Sequence, residues 1–208
     1  MGRTSDADIR LMDAALDLIW EESYGAVSVD DICTRAGVKK GSFYHFFKTK
    51  ADLAVAALER MWLTETKPQL DHDFSPSLNP LQRLAGNLER IYLYQIDVKK
   101  QHGKVLGCPV CSVGSEVSTQ ETDVGAKVCE IYSRKLRYYE SMIRDAIAEG
   151  SIPPCDAHEK ASALAGLIEG LTTQSRIMND PEVLKNLPAT ALGFLGASPE
   201  SVQTTLSR

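Results

Sequence analysis

The chain has 208 residues, of which 43% are hydrophobic and 25% are charged, and its formal net charge is −5, values that are ordinary for a globular protein with a buried core. No apolar run approaches the length of a membrane span, and the N-terminus MGRTSDADIR lacks the apolar centre of a signal peptide. We therefore expect a cytoplasmic protein with no membrane partner.

The first predicted helix carries apolar residues at helical spacing along one face, namely Ile9, Met12, Leu16 and Ile19. Ser5, with Asp8 three residues later, is expected to cap this helix, and Gly25 is expected to end it. Arg3 and Arg10 near its start are candidates for a contact with a phosphate, with a solvated charge as the alternative.

The segment from Ser28 to Asp52 has the pattern of two short helices joined by a tight turn. Ser28 can cap the first helix, with a carboxylate three residues on. Gly37 suits the turn, because glycine tolerates the positive φ that a sharp reversal requires. A second helix is predicted from about Lys39, and Thr49 is expected to cap a third.

A cluster of cations lies in this segment of an otherwise acidic chain. No Asp or Glu occurs between Arg35 and Lys50, and the basic side chains there are those of Arg35, Lys39, Lys40, His45, Lys48 and Lys50. Such a local cluster is typical of a polyanion site, because neutralising a phosphate releases counterions. Ser42, Tyr44 and His45 could reach phosphates or base edges from a helix in the major groove. The alternative is a solvated basic face.

The run AGVKKGSFYHFFKTKADL resembles the signature of the TetR family of bacterial transcriptional regulators, with a specific match over about residues 9–58. The resemblance implies an all-α fold. An N-terminal three-helix helix-turn-helix DNA-binding domain, residues 1–50, would precede a C-terminal helical effector-binding and dimerisation domain, residues 51–208. It also implies a homodimer that binds a double-stranded DNA operator and a small-molecule effector. No cofactor and no metal are expected.

The same resemblance gives roles to single residues. The backbone at Gly41 would pass close to DNA, Tyr44 and His45 would face phosphates or bases, and Lys50 would meet a phosphate. Many members have His where this chain has Phe46, which moves the expected phosphate contact to His45. The residues predicted to bind DNA are Ser28, Arg35, Lys39, Lys40, Gly41, Ser42, Tyr44, His45 and Lys50.

The rest of the chain is predicted to be helical with breaks. Helices are expected over residues 50–68, 81–98, 126–149 and 156–178, and a loop is expected over residues 71–80. The segment 99–107 is basic and aperiodic. Short helices are expected after Asp180 and from Pro188 to Leu195, and the polar tail from Ser198 is expected to fray.

The helix ending near Met178 has two apolar faces. One face has large residues, Leu164, Leu167, Ile168 and Leu171, and the other has small ones, Ala163, Gly166 and Gly170. Because small residues three and four apart let a second helix approach closely, we predict that Ala163, Gly166 and Gly170 contribute to a homodimer bundle.

Cys108 and Cys111 are the sharpest chemical feature outside the DNA-binding segment. The total of five cysteines is odd, which argues against a disulfide framework. Pro109 suits the first position of a helix, and a helix N-terminus with nearby cations would stabilise a thiolate that reacts with electrophiles and oxidants. The position of the pair also resembles that of the Gly-Cys that opens helix six in a TetR subgroup including repressors that sense reactive electrophiles or acrylate.

Other interpretations of the cysteine pair remain open. Both could be small core residues beside a ligand pocket. A metal site is a weaker alternative, because one CxxC supplies only two ligands. The remaining candidates for an effector cavity are the aromatic residues Trp62, Tyr92 and Tyr132, with Gln95 as a polar group.

Two functions are consistent with these features. The first is a non-enzymatic, ligand-responsive repressor that binds a palindromic operator as a homodimer and is released by an effector or by thiol modification. The alternative is a thiol oxidoreductase that uses Cys108 and Cys111. Against the alternative stands the lack of a βαβ pattern that would hold such a pair.

Overall fold

The computed structural model describes residues 6–207, and within them the regular structure is helical with no strand. The elements are α1 (Ala7–Glu21), α2 (Val29–Ala36), α3 (Lys40–Phe46), α4 (Lys50–Met61), a π-helical segment (Trp62–Thr66), α5 (Lys67–Asp73), α6 (Pro80–His102), α7 (Pro109–Val117), α8 (Thr122–Ala148), α9 (Ala157–Met178), a 3₁₀ turn (Pro181–Leu184), α10 (Leu187–Leu195) and α11 (Pro199–Leu206). The predicted all-α class is confirmed. Across the described part of the chain, no helix has both the length and the apolar character needed to cross a membrane.

Local side chains set the helix starts around α2 and α4. Ser28 Oγ accepts from the N–H of Asp31 at 3.2 Å, and Asp31 accepts from the N–H of Ser28 at 2.9 Å. Thr49 and Asp52 repeat this capping box, with both distances 3.0 Å. These reciprocal bonds satisfy N–H groups that have no partner inside a helix. Gly37, with φ of 62°, ends α2, so the predicted helix–turn–helix is confirmed.

The first helix differs from its predicted bounds at both ends. It ends at Glu21, before the predicted stop at Gly25. Its N-cap position is Asp6, which makes no side-chain capping bond. The residues expected to cap it or to touch phosphate at its very start, Ser5 and Arg3, lie outside the described residues.

The predicted end of the fourth helix was wrong in detail. The helix does not stop near Pro68, because the chain widens into the π-helical segment and then continues as α5. A proline cannot donate the backbone hydrogen bond of a helix interior, and the π-helical segment ends at Thr66, directly before the turn that contains Pro68. The expected loop over residues 71–80 therefore begins only at Phe74.

Three other predicted helix boundaries were also wrong. The helix predicted to end at residue 98 runs to His102, where Gly103 ends it at φ of 73°. Helix α8 begins at Thr122, so Gly125 lies inside a helix and not in a break. The tail forms α11, because Ser198 accepts a capping bond from the N–H of Ser201 at 3.1 Å.

The chain divides into two compact units. Among the described residues, the first contains residues 6–66 together with Pro109–Tyr132, and the second contains Lys67–Cys108 together with residues 133–207. The first unit is built on fully buried side chains that include Leu11, Ile32, Phe43, Leu53 and Leu58. The core of the second unit includes Leu84, Leu88, Tyr139, Met142, Ile143 and Leu164.

Candidate nucleic-acid interface and effector region

Helix α3 has one buried and one exposed side. Phe43 is fully buried, and its ring packs edge-on against that of Tyr44 with centroids 5.1 Å apart. Tyr44 itself is 56% exposed, and His45 and Phe46 are exposed beside it. Phe43 therefore anchors the helix in the core of the first unit and leaves Tyr44 and His45 facing outward, as is required of a helix that enters the major groove of DNA.

Small residues leave room at the same surface. Gly41 is exposed, and a Cβ added there would meet no atom within 4 Å, so a DNA backbone could approach it closely. Ser42 is half-buried. Ser28 is exposed, but its hydroxyl donates to Asp31 at 2.6 Å, so this side chain stabilises the start of α2 in the described structure.

The predicted basic cluster is partly paired. Lys40 contacts Asp30 at 2.8 Å, and its hydrogen bond and charge interaction with Asp30 raise the pKa of the Lys40 ammonium. Arg35 contacts Glu21 at 3.4 Å. Lys40 and Asp30 are both exposed, so their ion pair contributes little to stability, whereas Glu21 is half-buried beside Arg35. Lys39 is exposed and makes no ion pair within residues 6–207, so a DNA phosphate could approach its ammonium without displacing an ion-pair partner.

Lys50 lies at the start of α4 and faces the turn between α1 and α2. Its Nζ donates to the carbonyl oxygens of Tyr24 at 2.7 Å and Val27 at 3.0 Å. The same atom is 4.1 Å from the centre of the Tyr24 ring. Burial lowers the pKa of the Lys50 ammonium, while Glu121 and Glu116 act in the opposite direction. These intramolecular partners were not predicted, because they lie 23 and 26 residues away in sequence.

Arg10 has a structural role that the sequence did not indicate. Its Nη1 donates to the carbonyl oxygen of Ala36 at 3.0 Å, at the last residue of α2. It also contacts Asp6 at 3.3 Å. A cation on the C-terminal carbonyls of a helix is favourable, so Arg10 fastens α1 to the turn before α3. The sequence offers no local signal for a contact across 26 positions.

Gln95 holds the backbone that leads into Cys108. Its amide donates to the carbonyl oxygen of Gly107 at 3.2 Å and accepts from the N–H of Gly107 at 3.0 Å, and all of these atoms are buried. Both ends of the Gln95 amide are therefore engaged with protein. The predicted effector residue Gln95 fixes the position of the Gly107–Cys108 peptide.

Cys108 shares its surroundings with a buried ion pair. Lys135 contacts Glu169 at 2.8 Å, and both side chains are mostly buried. Burial would lower the pKa of Lys135, but Tyr139, Glu169 and Cys108 outweigh it and raise that pKa well above its ordinary value. The Cys108 sulfur also lies within 4.8 Å of a carboxylate oxygen of Glu169. Both a cation and an anion therefore lie near this cysteine.

The other predicted effector residues are divided between the two units. Trp62, Cys111 and Tyr132 belong to the first, where Trp62 is buried and the other two are half-buried. Tyr92 belongs to the second, and its hydroxyl donates to Glu182 at 2.7 Å.

Helix α9 carries the predicted dimerisation residues on its exposed face. Ala163, Gly166 and Gly170 are all exposed, whereas Leu164 and Ile168 on the opposite side are buried. A Cβ added at Gly166 or Gly170 would meet no atom within 4 Å. Nothing in the described chain therefore explains small residues at these positions.

Comparison with known proteins identifies the family. Residues 11–57 match the family model described as bacterial regulatory proteins, tetR family, and residues 80–190 match that of the tetracyclin repressor-like C-terminal domain. The chain belongs to the TetR family of transcriptional regulators. The predicted resemblance is confirmed, and with it the DNA-binding regulator.

Several TetR-family relatives share nearly the whole chain. Transcriptional regulator AcuR of Cereibacter sphaeroides is 32% identical over 184 residues, which is 86% of this chain and 81% of that protein. HTH-type transcriptional repressor NemR of Escherichia coli is 25% identical over 197 residues, covering 89% and 93%. The crystal structure of regulatory protein TetR from Rhodobacter sphaeroides is 30% identical, with a TM-score of 0.79 over 91% of this chain and 99% of that one. All three relatives are named as regulators, and they lend no support to the oxidoreductase alternative.

Proposed function

We propose that this TetR-family regulator represses transcription as a homodimer that binds a palindromic operator in the cytoplasm. Residues 1–50 would form the DNA-binding domain, and residues 51–208 would bind the effector and dimerise. The observation that carries the proposal is the outward-facing helix α3, with Tyr44 and His45 exposed above a buried Phe43. One such helix per protomer would enter the major groove of each half-site, one helical turn of DNA apart.

The chemistry of the exposed side chains divides their roles in the proposed complex. Tyr44 and His45 can contact base edges or phosphates, whereas Lys39 and Lys40 supply charge that is independent of sequence. The backbone at Gly41 can approach a phosphate because no side chain intervenes. Specificity would therefore depend on Tyr44 and His45, and the salt dependence of binding on the lysines.

The proposed dimer places α9 against α9 of a second copy. Ala163, Gly166 and Gly170 form a stripe that is exposed in the single chain and empty around the two glycines. Close approach of two helices requires small residues at this spacing. A symmetric dimer also explains how a short helix such as α3 can bind DNA tightly, because each protomer binds one half-site of the operator.

The proposed effector is an electrophile that reacts with Cys108. Lys135, whose ammonium interacts with the charge of Cys108, would stabilise the thiolate against the repulsion of the Glu169 carboxylate that is paired with it. With an α,β-unsaturated carbonyl compound, the sulfur forms a bond to the β-carbon, the π electron pair moves toward the carbonyl, and a proton from solvent completes the adduct. Release of DNA then requires that the adduct favour a body conformation with lower operator affinity.

A binding assay with methyl vinyl ketone as the probe tests this effector. The electrophile is expected to weaken operator binding of the wild-type protein and of Cys155→Ser, a control at an exposed cysteine. Cys108→Ser should bind the operator normally and stop responding. A fully responsive Cys108→Ser protein would exclude Cys108 as the sensor.

A further inference from the structure

The turn between α1 and α2 is held from two sides by opposite charges. On one side, Glu116 of α7 accepts from the N–H of Tyr24 at 2.9 Å and from the N–H of Gly25 at 2.8 Å. On the other side, Lys50 donates to the carbonyl oxygens of Tyr24 at 2.7 Å and Val27 at 3.0 Å. Connected hydrogen bonds of this kind polarise and strengthen one another. The Glu116 carboxylate and the Lys50 ammonium together therefore fix the conformation of the turn.

The side chain of Tyr24 adds to the same arrangement. It is buried, and its ring lies 4.1 Å from Lys50 Nζ, where a cation is attracted to the aromatic face. Burial, followed by the charge of Glu121 and a hydrogen bond with it, raises the pKa of Tyr24 to about 12. The phenol therefore stays protonated and donates a hydrogen bond to Glu121, which lies between α7 and α8.

The segment that carries Glu116 is itself firmly placed in the first unit. Lys127 of α8 contacts Glu59 of α4 at 3.1 Å, with both side chains mostly buried. A Cβ added to Gly114 of α7 would lie 2.6 Å from a methyl group of Val128, so α7 packs tightly on α8. The backbone of α7 at Glu116 is thus held by tight packing. A residue can fix the position of another residue only when its own position is fixed in this way.

We propose that Glu116 is a positioning residue for DNA binding. It holds the turn so that the carbonyl groups of Tyr24 and Val27 fix the Lys50 ammonium at the first turn of α4. A lysine ammonium has three N–H donors, and the turn uses two of them, so the third remains for a DNA phosphate. The inference rests on the proposed function, in which Lys50 contacts the DNA backbone.

Charge alone gives the opposite expectation. A carboxylate near a phosphate-binding lysine repels DNA, and its removal should raise affinity. A loss of operator affinity on removing Glu116 therefore indicates positioning and not charge. The salt dependence of binding adds a second readout, because each phosphate contact contributes about 0.9 to the slope of log K against log salt concentration.

The test measures operator affinity against salt concentration for the full chain. Glu116→Gln keeps the size of the side chain but turns an NH₂ group toward a backbone N–H, and we expect about tenfold weaker binding and a slope smaller by up to about one. Asp123→Asn removes the same charge from the exposed first turn of α8, and it should leave affinity unchanged or raise it. Urea denaturation and sedimentation check that each variant is folded and dimeric.

A double-mutant cycle shows whether Glu116 acts through Lys50. Lys50→Met is expected to weaken binding and lower the slope, and Glu116→Gln should add nothing further in that background. Full additivity, or a Glu116→Gln protein that binds like Asp123→Asn, would overturn the proposal. If Lys50→Met changes nothing while Tyr44→Ala still weakens binding, the positioning role fails and the DNA-binding function stands. If the wild-type protein shows no sequence preference, the proposed function fails as well.

Discussion

Adjacent residues of α3 have opposite roles. Phe43 is fully buried and Tyr44 is 56% exposed. Phe43→Ala should lower the free energy of unfolding by about 3–5 kcal/mol through the cavity that it leaves. Tyr44→Ala should change that free energy by less than about 0.5 kcal/mol while weakening operator binding by about 1–3 kcal/mol. Urea denaturation measures the first effect and a gel-shift titration the second. If Tyr44→Ala destabilised the protein as much as Phe43→Ala, Tyr44 would be a core residue, which would contradict its outward position.

Asp73 gives the second unit a dependence on pH. Burial would raise the pKa of its carboxyl group, but hydrogen bonds from Arg90, Asn87 and His72 outweigh burial and lower it below 3.8. A carboxyl group whose pKa is lower in the folded state contributes stability above its unfolded pKa and loses it as pH falls through the folded value. Stability should therefore decline below about pH 4, and Asp73→Asn should be less stable at neutral pH and less sensitive to acid. An acid titration followed by circular dichroism measures both, and a variant with unchanged acid sensitivity would contradict this role.

At the scale of residues, the sequence predicts interactions between residues that are close together along the chain. Ser28 with Asp31 and Thr49 with Asp52 were predictable because the two members of each capping box are three positions apart. The outward position of Tyr44 was implied by the resemblance to the family signature, because α3 spans only seven residues and its periodicity indicates little. The partners of Lys50 and Gln95 could not be predicted either, because turns that are distant in sequence supply them.

At the scale of elements, two glycines in helices have contrasting surroundings. A Cβ at Gly125 of α8 would lie 2.6 Å from the carbonyl oxygen of Ser118, whereas one at Gly86 of α6 would meet nothing within 4 Å. Gly125→Ala should therefore destabilise the protein by about 1–3 kcal/mol through overpacking. Gly86→Ala should stabilise it by up to about 1 kcal/mol, because alanine favours helix. Thermal denaturation compares them, and equal effects would contradict the close approach of α8 to the turn before it.

Two of the mispredicted bounds share a physical cause. Pro68 indicates a helix end in sequence, but the chain passes through the π-helical segment Trp62–Thr66 and continues as α5 beyond Pro68. Gly125 likewise suggests a break, whereas its lack of a side chain serves packing against Ser118. Proline and glycine indicate only that the local backbone does not favour a helix. When tertiary packing stabilises the segment, the helix can continue through such a residue.

At the scale of the whole molecule, the dimer depends on a surface that a single chain leaves open. Gly170→Leu should disrupt the proposed contact between α9 helices and convert the dimer to a monomer. Gly86→Leu, on the exposed face of α6, introduces the same side chain outside the proposed interface and should remain dimeric. Sedimentation velocity distinguishes the two, and a Gly170→Leu dimer as tight as that of the wild type would exclude this face.

The most direct measurement is a titration of the purified protein, at moderate salt, on the promoter next to its own gene and on a scrambled sequence of equal length. We expect tight binding of two chains to the promoter fragment, much weaker binding to the scrambled one, and loss of this preference in Tyr44→Ala. A folded, dimeric protein that binds both fragments equally would contradict sequence-specific reading of DNA by α3.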